Sequence, residues 1–254
     1  MDPLLLSGKT ALITGASKGI GLAIARCFVN HGANVIITSR NEELLKEACA
    51  SADLPPGKLV YKACHVGKEK ELIELMEWVT RHFGALDILV NNAATNPVAG
   101  PIQSQNSELF DKIFEVNVKS AFVLSNLAFD GMKTKGKGSI VHISSVEAFR
   151  PSKGLGLYAT SKAALNMLGF SQAKEWGKYG IRVNVICPGL IKTKFSASIW
   201  QNDAFLKHWE NQIPLGRMGE PDEIAQLALF LASDASSYCT GMHFNADGGY
   251  LISP

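Results

Sequence analysis

Seven short runs of β-branched and apolar residues, at 10–14, 34–39, 58–64, 86–91, 139–144, 181–187 and 242–245, constrain the fold of this chain more than any other feature. A strand that buries one face alternates apolar with polar side chains. These runs are apolar almost without alternation, the texture of parallel strands covered on both faces. Parallel neighbours cannot be joined by a tight turn, so a helix must cross between them. The intervening segments supply it: 19–30, with Ile20, Ala23, Ile24, Cys27 and Phe28 on one face, then 42–51, 68–83, 107–132, 159–178 and 221–233. Asn41 ahead of Glu42-Glu43, and Pro221 ahead of Asp222-Glu223, are helix-start signals. Strand and helix alternate throughout, which predicts an α/β fold: a doubly wound parallel sheet of about seven strands with helices on both faces and ligands at the carboxyl ends of the strands.

The 254 residues are 46% apolar with no linker-like stretch, so one domain over 1–254 is expected. A net charge of +2, with 19% charged residues, offers no footprint for nucleic acid or an anionic membrane, and the expected partner is a small molecule. The leucines after Met1-Asp2-Pro3 lack a basic flank, and no apolar run approaches the ~18 residues of a membrane span. A soluble, cytoplasmic protein is expected. Cys27, Cys49, Cys64, Cys187 and Cys239 form an odd set without Cys-x-x-Cys spacing, and the six histidines are scattered, so neither disulfides nor a metal centre is expected.

Directly after the first strand, Thr14-Gly15-Ala16-Ser17-Lys18-Gly19-Ile20-Gly21 opens the first helix. Glycines suit a tight turn whose backbone meets a pyrophosphate at a helix N-terminus, the Rossmann-type dinucleotide signal. About 20 residues on, an NAD enzyme normally presents an acid to the ribose; this chain has Thr38-Ser39-Arg40. Arg40 and Lys18 would meet a 2′-phosphate with charge, and Ser17 and Ser39 with hydroxyls, so the expected cofactor is NADP(H) rather than NAD(H).

Tyr158 and Lys162 are four apart at a helix start and share one face. A cation so placed is expected to draw the phenol down from a pKa of ~10, making Tyr158 an acid or base. The strand before it ends in Ser144-Ser145, which brings a hydroxyl to the carboxyl edge of the sheet. Singly, several of these features have plainer readings. Arg40 can be a solvated helix-entry charge, Ser144 and Ser145 turn residues, and Pro188-Gly189 the end of a strand.

As an ordered set, the glycine run, Asn91-Asn92-Ala93-Ala94, Asn117 within Glu115-Val116-Asn117-Val118, Ser145, Tyr158 with Lys162, Pro188-Gly189 with Ile191 and Thr193, and Asp247-Gly248-Gly249 resemble the short-chain dehydrogenase/reductase family, from about Gly8 to Gly249. The resemblance implies interconversion of a ketone or aldehyde and an alcohol by hydride transfer with NADP(H). It implies that Ser145 bonds the substrate oxygen, Tyr158 exchanges a proton with it, Lys162 binds the nicotinamide ribose and tunes Tyr158, and Asn117 holds a water in the proton relay. It further implies that Asn92, Ala93 and Ala94, and Pro188, Gly189, Ile191 and Thr193, line the cofactor, and that His65 and Val66 lie beside the adenine. His65 stands where most relatives carry Asp, and Ala94 where they carry glycine; the latter asks for ordinary backbone angles.

The strings Cys64-His65-Val66-Gly67-Lys68, Asn92-Ala93-Ala94-Thr95-Asn96-Pro97 and 188–196 are similar to the NADPH-dependent carbonyl and retinal reductase branch. Alternatives stay open: a 3-oxoacyl-(acyl carrier protein) reductase docking an acidic carrier on Lys133, Lys135, Lys137 and Lys174, a sugar or steroid alcohol dehydrogenase, and an NADP(H)-binding sensor without turnover. Val146, Glu147, Arg150 and Leu157 are expected substrate walls. The segment 194–212, with Phe195, Ile199, Trp200, Phe205 and Trp209, reads equally as a substrate lid or a surface helix. Ala159, Ala163, Ala164 and Gly169 suggest a small-residue helix face for a homodimer or tetramer, and Ile252-Ser253-Pro254 is no peroxisomal address.

Overall fold

The computed structural model describes residues 3–51 and 58–253. The readings made on Met1, Asp2 and Pro254 therefore lie outside the described residues. Strands β1 (Thr10–Thr14), β2 (Asn34–Thr38), β3 (Leu59–Tyr61), β4 (Ile88–Asn91), β5 (Gly138–Ile143), β6 (Ile181–Pro188) and β7 (His243–Ala246) form one parallel sheet in the order β3-β2-β1-β4-β5-β6-β7. The strand order reverses between β1 and β4, and a crevice opens there at the carboxyl ends.

The unalternating strands are explained by two cores. Ala11 and Ile13 of β1 join Val35, Ile37, Val90 and Val141 against helices α1 (Gly19–Asn30) and α9 (Pro221–Ala232). Leu12, between them, points the other way with Ile36, Leu89, Ile140 and Val183, onto α3 (Glu69–Phe83) and α5 (Ser120–Lys135). Both faces of the central strands are thus removed from water, which is why apolar residues run on without alternation and the few polar side chains, such as Asn91 and His142, are buried. The helix-start signals act as expected: the Asn41 side chain accepts from Leu44 N at 3.0 Å to begin α2 (Glu42–Ala50), and α9 starts with Pro221 behind a Glu220–Glu223 capping box.

Two differences from the sequence reading bear on the site. The 107–132 segment is α4 (Ser107–Phe114) and α5 joined by a wide π-type turn, Glu115–Lys119, centred on Asn117. Helix α6 (Gly156–Trp176) starts three residues earlier than expected, which puts Tyr158 in its first turn.

The small residues of α6 do not form one outward face. A Cβ on Gly169 would lie 2.8 Å from Val185 and 3.2 Å from the His142 ring, so this glycine lets the helix close on the sheet; Ala159 is buried too, Ala164 half-buried and Ala163 exposed. The expected lysine cluster also has other work. Lys135 pairs with Asp87 at 2.7 Å, Lys137 with Asp234 at 2.9 Å, and Lys133 lies over the Phe129 and Tyr179 rings. These lysines, and Lys174 in the last turn of α6, sit at the amino edge of the sheet, opposite the crevice.

Beneath α6 the fully buried His142 bridges sheet and helices. Asn91 Nδ2 donates to its Nδ1 at 3.2 Å, and its Nε2–H donates to Gln172 Oε1 at 2.9 Å. Burial pushes its pKa down to about 4, so the ring is neutral in the native state. The unfolded chain takes up a proton near the ordinary value of 6.5, so stability from this group is complete above that pH and is lost as pH falls toward 4. At ~1.4 kcal/mol per unit the loss approaches ~3 kcal/mol. We expect thermal melts of the wild type to drop over this window and the drop to shrink in His142→Asn.

Candidate active site

The crevice is built on a clasp between the ends of β1 and β4. Thr14 Oγ1 accepts from the backbone N–H groups of Asn92 and Ala93, each at 3.0 Å, while Asn92 Nδ2 donates to the Thr14 and Gly15 carbonyls at 2.8 and 3.2 Å. The glycines follow from that proximity. Gly15 has φ +65 and its absent Cβ would sit 2.8 Å from Ala93 Cα; a Cβ on Gly21 would sit 2.6 Å from Asn92 Nδ2. Among the described residues no side chain caps the first turn of α1, whose N–H groups face the cleft beside Ser17 and Lys18.

The cleft has a volume of about 830 Å³. Ser17, Lys18, Ser39, Arg40, His65 and Val66 line it toward the β2 side, Gly15, Gly19, Ile20, Asn92, Ala93 and Ala94 along its floor, and Ser145, Tyr158, Lys162, Pro188, Gly189, Ile191 and Thr193 toward β5 and β6. Residues from seven separate stretches of sequence are thereby brought together. Lys18 and Arg40 are exposed and, among the described residues, form no ion pair. His65 accepts from Gly67 N through Nδ1 at 3.2 Å, which fixes its ring. Ala94 has no positive φ, as its methyl requires.

Two predicted residues stand behind the wall instead of in it. Gly21 serves the packing just described. Asn117 is 1% exposed; its Oδ1 accepts from Thr95 N at 2.7 Å, and its Nδ2 donates to Thr95 O at 3.1 Å and Ser161 Oγ at 3.0 Å. Both amide hydrogens are spent, so the side chain ties the β4 exit to α6 one residue from Lys162.

At the β5 end, Ser145 follows the strand in extended conformation and caps the turn Val146–Ala148 by accepting from Glu147 N at 3.2 Å. Its hydroxyl lies beside the Tyr158 phenol and favours the phenolate. Lys162, 1% exposed, donates to the Ile143 carbonyl at 2.8 Å with its ammonium 5.6 Å from the Tyr158 ring centre. Burial pushes Lys162 down to about 8. The expected lowering of the Tyr158 pKa is corrected here: burial, aided by the Glu147 carboxylate, raises it above the ordinary phenol value, and the Ser145 hydrogen bond only offsets part of that. Desolvation is the largest influence on the phenol, and the Lys162 ammonium is committed to a carbonyl.

Of the expected substrate walls, Val146 and Glu147 line the cleft. Arg150 and Leu157 do not; Arg150 is turned to the Tyr250 and Ser253 carbonyls at 3.3 and 2.9 Å. The 194–212 segment forms two short helices, α7 (Ala197–Trp200) and α8 (Asp203–Glu210), and its aromatics divide. Phe195 lies tilted beside Tyr158 with ring centres 5.8 Å apart and Trp209 lies 5.5 Å from Tyr250, all lining the cleft; Trp200 donates to Thr193 O at 2.8 Å, and Phe205 is exposed outside. Tyr250, Leu155 and Thr95 line the site without having been anticipated, since a loop residue that meets a cleft only through tertiary contact has no periodic signature. The five cysteines are free, and burial raises the pKa of Cys27, Cys49, Cys64 and Cys187. Among the described residues no His, Cys, Asp and Glu cluster could hold a metal, and no helix is long and apolar enough to cross a membrane.

A parallel sheet with a glycine turn at its switch point and a Ser–Tyr–Lys group across the crevice defines a Rossmann-type oxidoreductase. Comparison with known proteins narrows the class. A family model described as enoyl-(acyl carrier protein) reductase matches residues 15–251. Dehydrogenase/reductase SDR family member 4 of Oryctolagus cuniculus is 38% identical, covering 98% of this chain and 95% of its own. A tropinone reductase homolog of Arabidopsis thaliana is 38% identical, covering 97% and 91%. Among solved structures, a gluconate 5-dehydrogenase from Burkholderia cenocepacia in complex with NADP and tartrate superposes with a TM-score of 0.93 at 30% identity, covering 100% and 99% of the two chains. A short-chain type dehydrogenase/reductase from Mycobacterium ulcerans gives 0.94 at 33%, covering 98% and 92%. The chain belongs to the short-chain dehydrogenase/reductase family and is an oxidoreductase of that family.

The glycine turn yields the first test of this geometry. Gly21→Ala places a methyl into Asn92 and the Ala16 backbone, at 2.6 and 2.8 Å. An overpacking loss of about 1–3 kcal/mol is expected in denaturant melts.

Proposed function

We propose that this protein interconverts a ketone or aldehyde and its alcohol with NADP(H), using Tyr158 as the proton-exchanging residue. The observation that carries the reading is the convergence of the Ser145 and Tyr158 hydroxyls and the Lys162 ammonium on one end of a cleft whose other end presents Arg40 and Lys18.

The residues present fit a phosphorylated dinucleotide. The uncapped N-terminus of α1 and the glycine turn suit the pyrophosphate, and Arg40 and Lys18, with Ser17 and Ser39, suit a 2′-phosphate where no acid stands. His65 and Val66 would flank the adenine, Asn92, Ala93 and Ala94 the middle of the cofactor, and Pro188, Gly189, Ile191 and Thr193 the nicotinamide. The NADP complex of the gluconate 5-dehydrogenase relative supports the assignment. The bound cofactor supplies or accepts the hydride.

The chain's own groups manage the oxygen. Ser145 Oγ and Tyr158 Oη donate to the carbonyl oxygen and polarise it. Tyr158, a phenol whose ordinary pKa of ~10 burial raises further, holds the proton that the developing alkoxide takes. The Lys162 ammonium, one turn away and shielded from water, favours the phenolate left behind. Asn117 keeps Ser161, and so the Lys162 turn, against the end of β4.

The apolar lining from Phe195, Ile199, Trp209, Ile213 and Tyr250 supports a carbonyl reductase reading with an apolar substrate. The lysines suggested for carrier docking sit at the opposite edge of the sheet and are engaged with Asp87, Asp234 and the Phe129 and Tyr179 rings, which favours a free carbonyl substrate over a carrier-bound one. The end-to-end match of the relatives supports one domain over 1–254, free thiols suit a reducing cytoplasm, and Phe122, Leu127 and Met167, exposed on α5 and α6, offer apolar surface for a dimer or tetramer.

NADPH oxidation followed at 340 nm against aromatic ketones, diketones, retinal and acetoacetyl thioesters tests the reading. Tyr158→Phe should lower kcat about a hundredfold or more while NADPH binding, read by fluorescence, persists; equal rates refute the role. Cofactor binding with no turnover of any carbonyl points to a sensor. Arg40→Asp should raise the KM for NADPH far more than that for NADH, and equal effects refute the 2′-phosphate assignment.

A further inference from the structure

Two carboxylates line the cleft, Glu115 exposed at its rim and Glu147 buried directly after Ser145. Glu147 is 7% exposed. Its oxygens accept from Ser152 N and Ser152 Oγ, both at 2.7 Å, and among the described residues it has no cationic partner. The cations around it are committed or in water: Lys162 donates to Ile143 O, Arg150 is held by the Tyr250 and Ser253 carbonyls, and Lys112 and Lys194 are exposed. Stapling a turn to a serine needs an acceptor and no charge, whereas keeping an unpaired carboxylate out of water is costly. Its field therefore falls on the cleft beside the Ser145 and Tyr158 hydroxyls, where it reaches the phenol. The Phe195 and Trp209 rings border the same cleft, as does Tyr250, over whose ring the Arg150 guanidinium already lies at 5.0 Å, and aromatic rings also favour a cation.

We infer that Glu147 selects substrates by charge, favouring carbonyl compounds with a protonated or quaternary amine close to the carbonyl and disfavouring carboxylates. The inference rests on the carbonyl-reducing reading above.

Three ketones of like size separate the possibilities: phenacyltrimethylammonium, its neutral isostere neopentyl phenyl ketone, and the anion benzoylacetate. Wild type should show kcat/KM in that descending order. In Glu147→Gln the amide can accept from Ser152 N and donate to Ser152 Oγ, so the turn is kept while the charge is lost. The ratio of cation to isostere should then fall about tenfold, the factor that ~1.4 kcal/mol of attraction sets, and benzoylacetate should gain on the isostere. Ser152→Ala, which weakens the staple and keeps the charge, should retain the wild-type order. Equal kcat/KM for the three ketones in wild type, an unchanged ratio in Glu147→Gln, or an equal loss of preference in Ser152→Ala overturns charge selection alone. Failure of wild type to reduce any ketone overturns the reading on which it rests.

Discussion

Thr14 and Asn92 hold the two halves of the sheet together at the point where its strand order reverses. One hydroxyl takes two backbone N–H groups and one amide feeds two carbonyls, in a place where unpaired polar groups would be costly. Because the clasp draws the β4 exit against the β1 turn, side chains at 15 and 21 have no room, and glycine is required for packing before any ligand is considered. The floor of the cleft, the start of α1 and the approach of both cationic residues to one rim all inherit their positions from it.

The opposite wall is set by burial of polar groups. Lys162 is driven into the interior, where Ile143 O holds it and Ser144 Oγ bonds its own carbonyl at 3.1 Å. Asn117 ties the neighbouring Ser161 to Thr95 across a π-type turn, the sort of local widening that turns up at functional sites. His142, Asn91 and Gln172 brace the same helix from below. A polar scaffold of this kind holds Tyr158 beside Ser145, and burial there raises the phenol further above its ordinary pKa.

Much of this was legible in the chain. Unalternating strands could only be parallel and doubly covered, glycines after the first strand could only mark a tight turn into a helix, and a tyrosine four residues from a lysine on a helix shares its face. The misreadings have a common cause. Gly169 and Ala159 suggest an outward face in sequence, yet helix periodicity does not say which side meets the sheet, and a Cβ on Gly169 would crowd Val185 and His142. Arg150, beyond the turn at Val146–Ala148, is held by the Tyr250 and Ser253 carbonyls, and Leu157 lies in the first turn of α6 between Leu155 and Tyr158, which line the cleft where it does not. The Tyr158 pKa was expected to follow its lysine, while the outcome depended on desolvation.

The sequence by itself determined the layer architecture, the family and the identity of the groups that meet in the cleft, because these rest on periodicity, on glycine sterics and on local spacing. Only the tertiary structure decided which of those groups face the cavity, that the basic cluster lies on the opposite edge of the sheet, and that Glu147 is buried there with no counter-ion among the described residues. Burial, long-range hydrogen bonding and the local dielectric are properties of the packed chain, and no short stretch of residues carries them.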